Sequence, residues 1–103
     1  MKRLLSLTAI AVALAASSAQ AQQVSVKIGV MSDMSSLYAD IGGPGSVAAA
    51  KLAVADFAKD HPNVKVELVS GDHQNKPDTG TNLANQWFDV DKVDMIIDVP
   101  NSG

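Results

Sequence analysis

Three short apolar runs constrain this chain more than any other feature: Val24–Met31, Val64–Val69 and Met95–Val99, each separated from the next by a stretch long enough for a helix. In the first, Val24, Val26, Ile28 and Val30 alternate with smaller or polar residues, which is the two-residue period of a strand. The third, Met95-Ile96-Ile97-Asp98-Val99 stopped by Pro100, is a nearly continuous apolar run, as in a strand covered on both faces. Between the first two runs, Pro44 and Ser46 open a helix, because proline lacks the N–H that a first turn leaves unpaired anyway. Val47, Ala50, Val54 and Phe57 then recur at helical spacing up to Asp60, and Pro62 stops the helix by disfavouring helical geometry at His61. Between the second and third runs, Pro77 and Asp78 lead into a helix with Asp78 expected as its N-cap and Leu83, Ala84, Trp87 and Val90 on one face. Strand, helix, strand, helix, strand in that order implies right-handed crossovers and a parallel sheet. The expected fold class is therefore α/β: a three-layer, doubly wound parallel sheet, of which residues 22–103 supply the βαβαβ opening.

The first 21 residues follow different rules. Lys2 and Arg3 precede the apolar run Leu4–Ala16, and the small-x-small triplet Ala19-Gln20-Ala21 closes it. A basic start, a short apolar run and such an exit are the three parts of a secretory signal, so cleavage is expected between Ala21 and Gln22. An uncleaved span would need about 20 apolar residues, more than this run provides. The chain has no cysteine, so neither a lipid anchor nor a disulfide framework is available. Removing residues 1–21 leaves six cations against eleven carboxylates, a formal charge of −5, which argues against nucleic acid or an anionic membrane as partner.

Ligands of open parallel sheets bind outside the carboxyl ends of the strands. Three loops leave those ends: Ser32–Gly45, Gly71–Asp78 and Pro100–Gly103. The first is rich in hydroxyls and glycine, with Tyr38 its one aromatic, and two readings stand: a plain connection, or backbone N–H groups and a helix N-terminus offered to a carboxylate. Gly42-Gly43-Pro44-Gly45-Ser46 lacks the Lys-Ser/Thr of a phosphate loop and the spacing of a dinucleotide fingerprint. Asp89, Asp91 and Asp94 begin like a calcium loop, but its glycine and terminal glutamate are absent, so they read as a solvated helix end. His61 and His73 have no second ligand at metal spacing, and no G-x-S-x-G elbow occurs. These residues specify no enzyme, no metal and no cofactor.

One ordered set of segments runs through the whole chain after Ala21. It comprises Val26-Lys27-Ile28-Gly29-Val30, Ser35-Ser36-Leu37-Tyr38-Ala39-Asp40-Ile41-Gly42, Ala49 to Phe57, Gly71-Asp72-His73-Gln74-Asn75-Lys76-Pro77-Asp78, and Ile96 to Ser102. This set resembles the N-terminal lobe of type I periplasmic solute-binding proteins, the branched-chain-amino-acid branch that serves ABC transporters. The resemblance implies a monomeric two-lobed clamp in the periplasm that closes on a small carboxylate, amide or amino acid and delivers it to ABC permease subunits of the inner membrane. It implies that Ser36 and Tyr38 line the mouth of the site, and that Asn101 and Ser102 donate to the solute's carboxylate. Members that bind amino acids usually carry serine or threonine where Asn101 stands and an aromatic where Ile41 stands, so amides and aromatic acids stay open beside amino acids. The resemblance also places the rest of lobe one, the hinge and lobe two outside these 103 residues, and the chain reads as truncated after its third strand. A ligand-binding domain of a sensory receptor is the alternative from another class; a small secreted enzyme would need a catalytic constellation that these residues do not supply.

Overall fold

The computed structural model describes residues 22–101, so the expected signal segment, its cleavage site at Ala21 and the candidate residue Ser102 lie outside the described residues. The elements run β1 (Val24–Ser32), α1 (Gly43–Asp60), β2 (Val64–Asp72), α2 (Pro77–Asp89) and β3 (Met95–Ile97). All pairing is parallel, in the order β2-β1-β3, with β1 in the middle. The doubly wound α/β arrangement expected from the alternation is the one observed.

The pleat sorts the side chains of β1 onto two faces. Val26 and Ile28, with Val64 and Val66 of β2, face Ala53, Val54 and Phe57 of α1. The opposite face carries Gly29, Met31, Val69, Gly71 and Ile96, against Leu83 and Trp87 of α2. Helix, sheet and helix therefore form three layers, as two right-handed crossovers of opposite direction require. The α2 face is the tighter one. Met31, Trp87 and Val93 are buried there, flanked by Val69, Leu83, Ala84 and Ile96. On the α1 face Val47, Ala50 and Val54 are half-buried and Phe57 is exposed, so the stripe read from the sequence points the right way but is only partly covered.

Two glycines make the tight face possible. A Cβ on Gly29 would lie 2.4 Å from Trp87 Cζ3, and one on Gly71 would lie 2.4 Å from Leu83 Cδ2 and 2.8 Å from Trp87 Cζ2. The indole lies directly on strand backbone, in space that any side chain would fill.

Element ends differ from the sequence reading in ways that matter for the site. β1 reaches Ser32 and β2 reaches Asp72 because their register runs without a break from Val24↔Val64 to Ser32↔Asp72. β3 pairs only from Met95 to Ile97, since Asp98 turns into the left-handed region (φ 56°) and takes the chain out of the sheet before Val99. Asp78 is not the N-cap of α2: Lys76 holds that position in extended geometry, and Asp78 sits in the first turn, where its Oδ1 accepts the Thr79 N–H at 3.0 Å. A carboxylate there still complements the helix dipole. Asp91 and Asp94 fasten the α2–β3 connection to the middle strand. Asp94 Oδ2 accepts the Lys27 N–H at 2.8 Å, and the Asp91 carbonyl accepts Lys27 Nζ at 2.8 Å.

Candidate functional site

In the order β2-β1-β3 the crossovers leave β1 on one face and enter β3 from the other, so the topological switch point lies between the carboxyl ends of β1 and β3. The segment after β1 and the segment after β3 border it. The first, residues 33–42, is organised around a carboxylate. Asp33 is fully buried, and its oxygens accept hydrogen bonds from the Ser36 N–H (2.8 Å), the Ser36 hydroxyl (2.5 Å), the Tyr38 N–H (3.0 Å) and the Ser35 N–H (3.3 Å). Burial by itself would raise the Asp33 pKa. The Ser36 hydroxyl and the backbone N–H groups of Tyr38, Ser36 and Ser35 outweigh it and hold the carboxyl at about 2.

A second carboxylate comes from the neighbouring strand. Asp72 ends β2; its Oδ2 accepts the Ser35 hydroxyl at 2.6 Å, and its Oδ1 accepts the N–H groups of Met34 (2.9 Å) and Gln74 (2.8 Å). Desolvation and the nearby charge of Asp33 act to raise the Asp72 pKa. The bonds from Ser35, Met34 and Gln74 win, and the carboxyl is held below its usual range. The loop's far end is tied by Ser32, whose buried Oγ accepts the Gly43 N–H at 2.9 Å.

That last bond bears on the helix N-terminus named in the second reading of the first loop. Of the donors that a helix N-terminus usually leaves open, Gly43 N–H goes to Ser32 Oγ, Pro44 has none, and the N–H groups of Gly45 and Ser46 both turn back to the Gly42 carbonyl at 3.1 and 3.3 Å. A carboxylate of the protein also stands there, since a methyl placed on Gly42 would lie 3.6 Å from Asp98 Oδ2. The start of α1 is thus closed to a solute carboxylate. Ser32→Ala would strand the buried Gly43 N–H, and a loss of about 2 kcal/mol in the urea unfolding free energy is expected. An unchanged unfolding free energy would show that the loop end is held by other means.

The expected site residues are distributed as follows. Ser36 is exposed, but its hydroxyl hydrogen is engaged by Asp33, so its oxygen is left as an acceptor only. Tyr38 is half-buried, anchored through its backbone to Asp33. Asn101 donates from Nδ2 to Asn75 Oδ1 at 2.9 Å, which ties the segment after β3 to the turn after β2. Residues 33–42, the start of α1 and residues 98–101 therefore share one end of the sheet. His73 is buried on the α2 side, in the wall of an open, mostly apolar groove of about 440 Å³ that also includes Met31, Gly80, Ala84 and Ile96. Its Nδ1 accepts the Asn75 N–H at 2.9 Å, and its Nε2 has no partner among the described residues.

Asp33 and Asp72, which organise the site, do not stand out in the sequence. The signal that marks Asp33 is local: an aspartate two and three residues before serines, Asp33-Met34-Ser35-Ser36, is the pattern of a side chain that captures the backbone N–H groups just ahead of it. Asp72 has no such signal, because its partners Met34 and Ser35 are 38 and 37 residues away.

Among known families, residues 25–103 match one described as periplasmic binding protein. The chain belongs to that family. Two solved structures share the fold of this periplasmic binding protein segment. A branched chain amino acid ABC transporter periplasmic ligand-binding protein from Burkholderia xenovorans LB400 is 50% identical with a TM-score of 0.66, over 72% of this chain and 20% of its own. A periplasmic binding protein from Burkholderia mallei is 47% identical with a TM-score of 0.64, over 70% of this chain and 19% of its own. The chain thus spans about a fifth of the length of each. No curated protein matches it.

Proposed function

We propose that this chain carries part of the solute-facing lobe of a periplasmic component of an ABC transporter, exported by a signal peptide at residues 1–21, and that it captures a small solute rather than transforming one. One observation carries the reading: the loops after β1 and β3 meet at the topological switch point, on a chain 50% identical to a branched-chain amino acid ABC transporter periplasmic ligand-binding protein. In this reading Tyr38 and the Ser36 oxygen border the mouth from one side and Asn101 from the other, and Ser102, next to Asn101 in the sequence, is assigned the same donor role. Charge orients the solute between them. Asp98 puts a negative group beside the start of α1, so that end suits an ammonium, amide or hydroxyl donor, while a solute carboxylate belongs with the donors of Asn101 and Ser102. Permease subunits would receive the solute, and nothing in this reading needs a cofactor.

The test is a thermal-shift and calorimetric titration of the full-length protein with L-leucine, benzoate and benzamide, which represent the amino-acid, aromatic-acid and amide classes. A bound probe at a hundredfold excess over its Kd adds about 2.7 kcal/mol of stability and raises the melting temperature. The matching class is expected to do this, with the effect weakened in Asn101→Ala. If no class shifts the melting temperature or gives a heat of binding, the solute assignment fails.

A further inference from the structure

Of the two carboxylates that hold the first loop, Asp33 and Asp72, only one can decide where that loop stands. The four hydrogen bonds of Asp33 all come from Ser35, Ser36 and Tyr38, within five residues of it, so Asp33 shapes the loop without placing it. Asp72 belongs to another strand. It takes the Met34 N–H and the Ser35 hydroxyl across the β1–β2 gap, and with its third bond, from the Gln74 N–H, it fixes the start of its own turn. A parallel bond from the His73 N–H to the Ser32 carbonyl at 3.0 Å leaves little freedom between the two segments. The turn fixed by Asp72 contains Asn75, which in turn holds Asn101. A single side chain therefore sits on the path that joins the Ser36–Tyr38 wall to the Asn101 wall.

We propose that Asp72 is a positioning residue for solute capture: through the Ser35 hydroxyl and the Met34 N–H it presets the distance between the two walls, without itself touching the solute. The inference rests on the solute-binding reading above and deepens it. Gln74 and Asn75, two and three residues after Asp72, both lie in the left-handed region (φ 55° each), a turn geometry that asparagine tolerates but that a glutamine adopts at a cost offset by surrounding bonds. Asp72 Oδ1 on the Gln74 N–H is one of those bonds.

The test uses the full-length protein and the variants Asp72→Ala, Asp72→Asn, Ser35→Ala and the Asp72→Ala/Ser35→Ala pair. Two readouts are taken: the Kd of whichever of L-leucine, benzoate and benzamide binds the unmodified protein, and amide hydrogen exchange of residues 33–42 without solute. Asp72→Ala is expected to weaken binding about tenfold and to speed exchange of the Met34 amide at least tenfold, with the Ser36 and Tyr38 amides, held by Asp33, and the amides of β1 and β2 unchanged. Ser35→Ala should weaken binding in the same direction, and the pair should be no worse than Asp72→Ala alone, because both remove one link. Asp72→Asn, whose amide can still accept from the two N–H groups and donate to the Ser35 oxygen, should restore most of the binding. A variant that melts earlier but keeps its Kd and its exchange rates would reduce Asp72 to a structural role and overturn the inference. Faster exchange in Asp72→Ala, with no probe bound by the unmodified protein, would sink the solute assignment and leave the positioning of the loop standing. Unchanged exchange in Asp72→Ala overturns the inference whatever binds.

Discussion

Gly29→Ala is expected to lower the unfolding free energy of the full-length protein by about 3 kcal/mol, the upper part of the range for overpacking a filled core. The reason is geometric: the new methyl would lie 2.4 Å from Trp87 Cζ3 and 2.5 Å from Cε3, and neither β1, paired on both sides, nor the ring of α2 has room to retreat. Gly71→Ala should behave alike, meeting both Leu83 and Trp87. The same substitution at Gly45 provides the control. A Cβ there meets nothing within 4 Å, and Gly45, in the first turn of α1, is not held in the left-handed region, so Gly45→Ala should gain about 0.4–1 kcal/mol by restricting the unfolded chain. Urea unfolding of the three variants decides the matter. Combining Gly29→Ala with Trp87→Leu should show a favourable coupling of about 1–2 kcal/mol, since the smaller residue gives the methyl its space. Additive losses would mean that the clash is relieved elsewhere, and that the indole does not define the sheet-to-helix distance.

That contact shows what the sequence made legible and what it did not. The apolar runs and the two helix starts at proline give the element order, because period and punctuation are local properties. Trp87 lies on the expected apolar face, yet nothing local says that its ring rests on Gly29 and Gly71; that follows only once β1 and β2 pair in their observed register. The same register brings Ser32 beside Asp72, and so creates the site's framework from residues that read as the start of one loop and the start of another. β3 illustrates the opposite limit. Its apolar pattern continues to Val99, but a left-handed turn at Asp98 ends the pairing at Ile97, and hydrophobicity alone carries no information about that turn. The start of α1 also departs from the general helix-dipole rule. The generic N-terminus binds anions, whereas this one is satisfied by Ser32 and Gly42 and faced by Asp98.

Acid should loosen the first loop before it unfolds the sheet. Asp33 is held at about 2, against an ordinary value of 3.8, and Asp72 is shifted in the same direction. A carboxyl whose folded pKa is depressed contributes stability that is fully present above its unfolded value and is lost as pH falls through the folded one. The loss is therefore expected to begin as the pH drops below about 4 and to be complete only below about 2. Asp33's charge opposes that of Asp72, so protonating Asp33 makes Asp72 easier to keep ionised, and the transition should be broad rather than a single sharp step. The measurement is a series of urea unfolding midpoints from pH 5 to pH 2, paired with hydrogen exchange at the Ser36 and Tyr38 amides. In Asp33→Asn the pH slope should flatten, because the titrating group is gone, and the Tyr38 amide, whose Oδ2 acceptor becomes an N–H2 donor, should already exchange fast at pH 5. The unmodified protein should lose the same protection, taken relative to intrinsic exchange at each pH, only near pH 2. A midpoint that stays level in the unmodified protein from pH 4 to pH 2, or an Asp33→Asn variant with the same slope, would mean that the buried carboxylate does not hold the loop through its charge, and Ser36 and Tyr38 would then need another anchor.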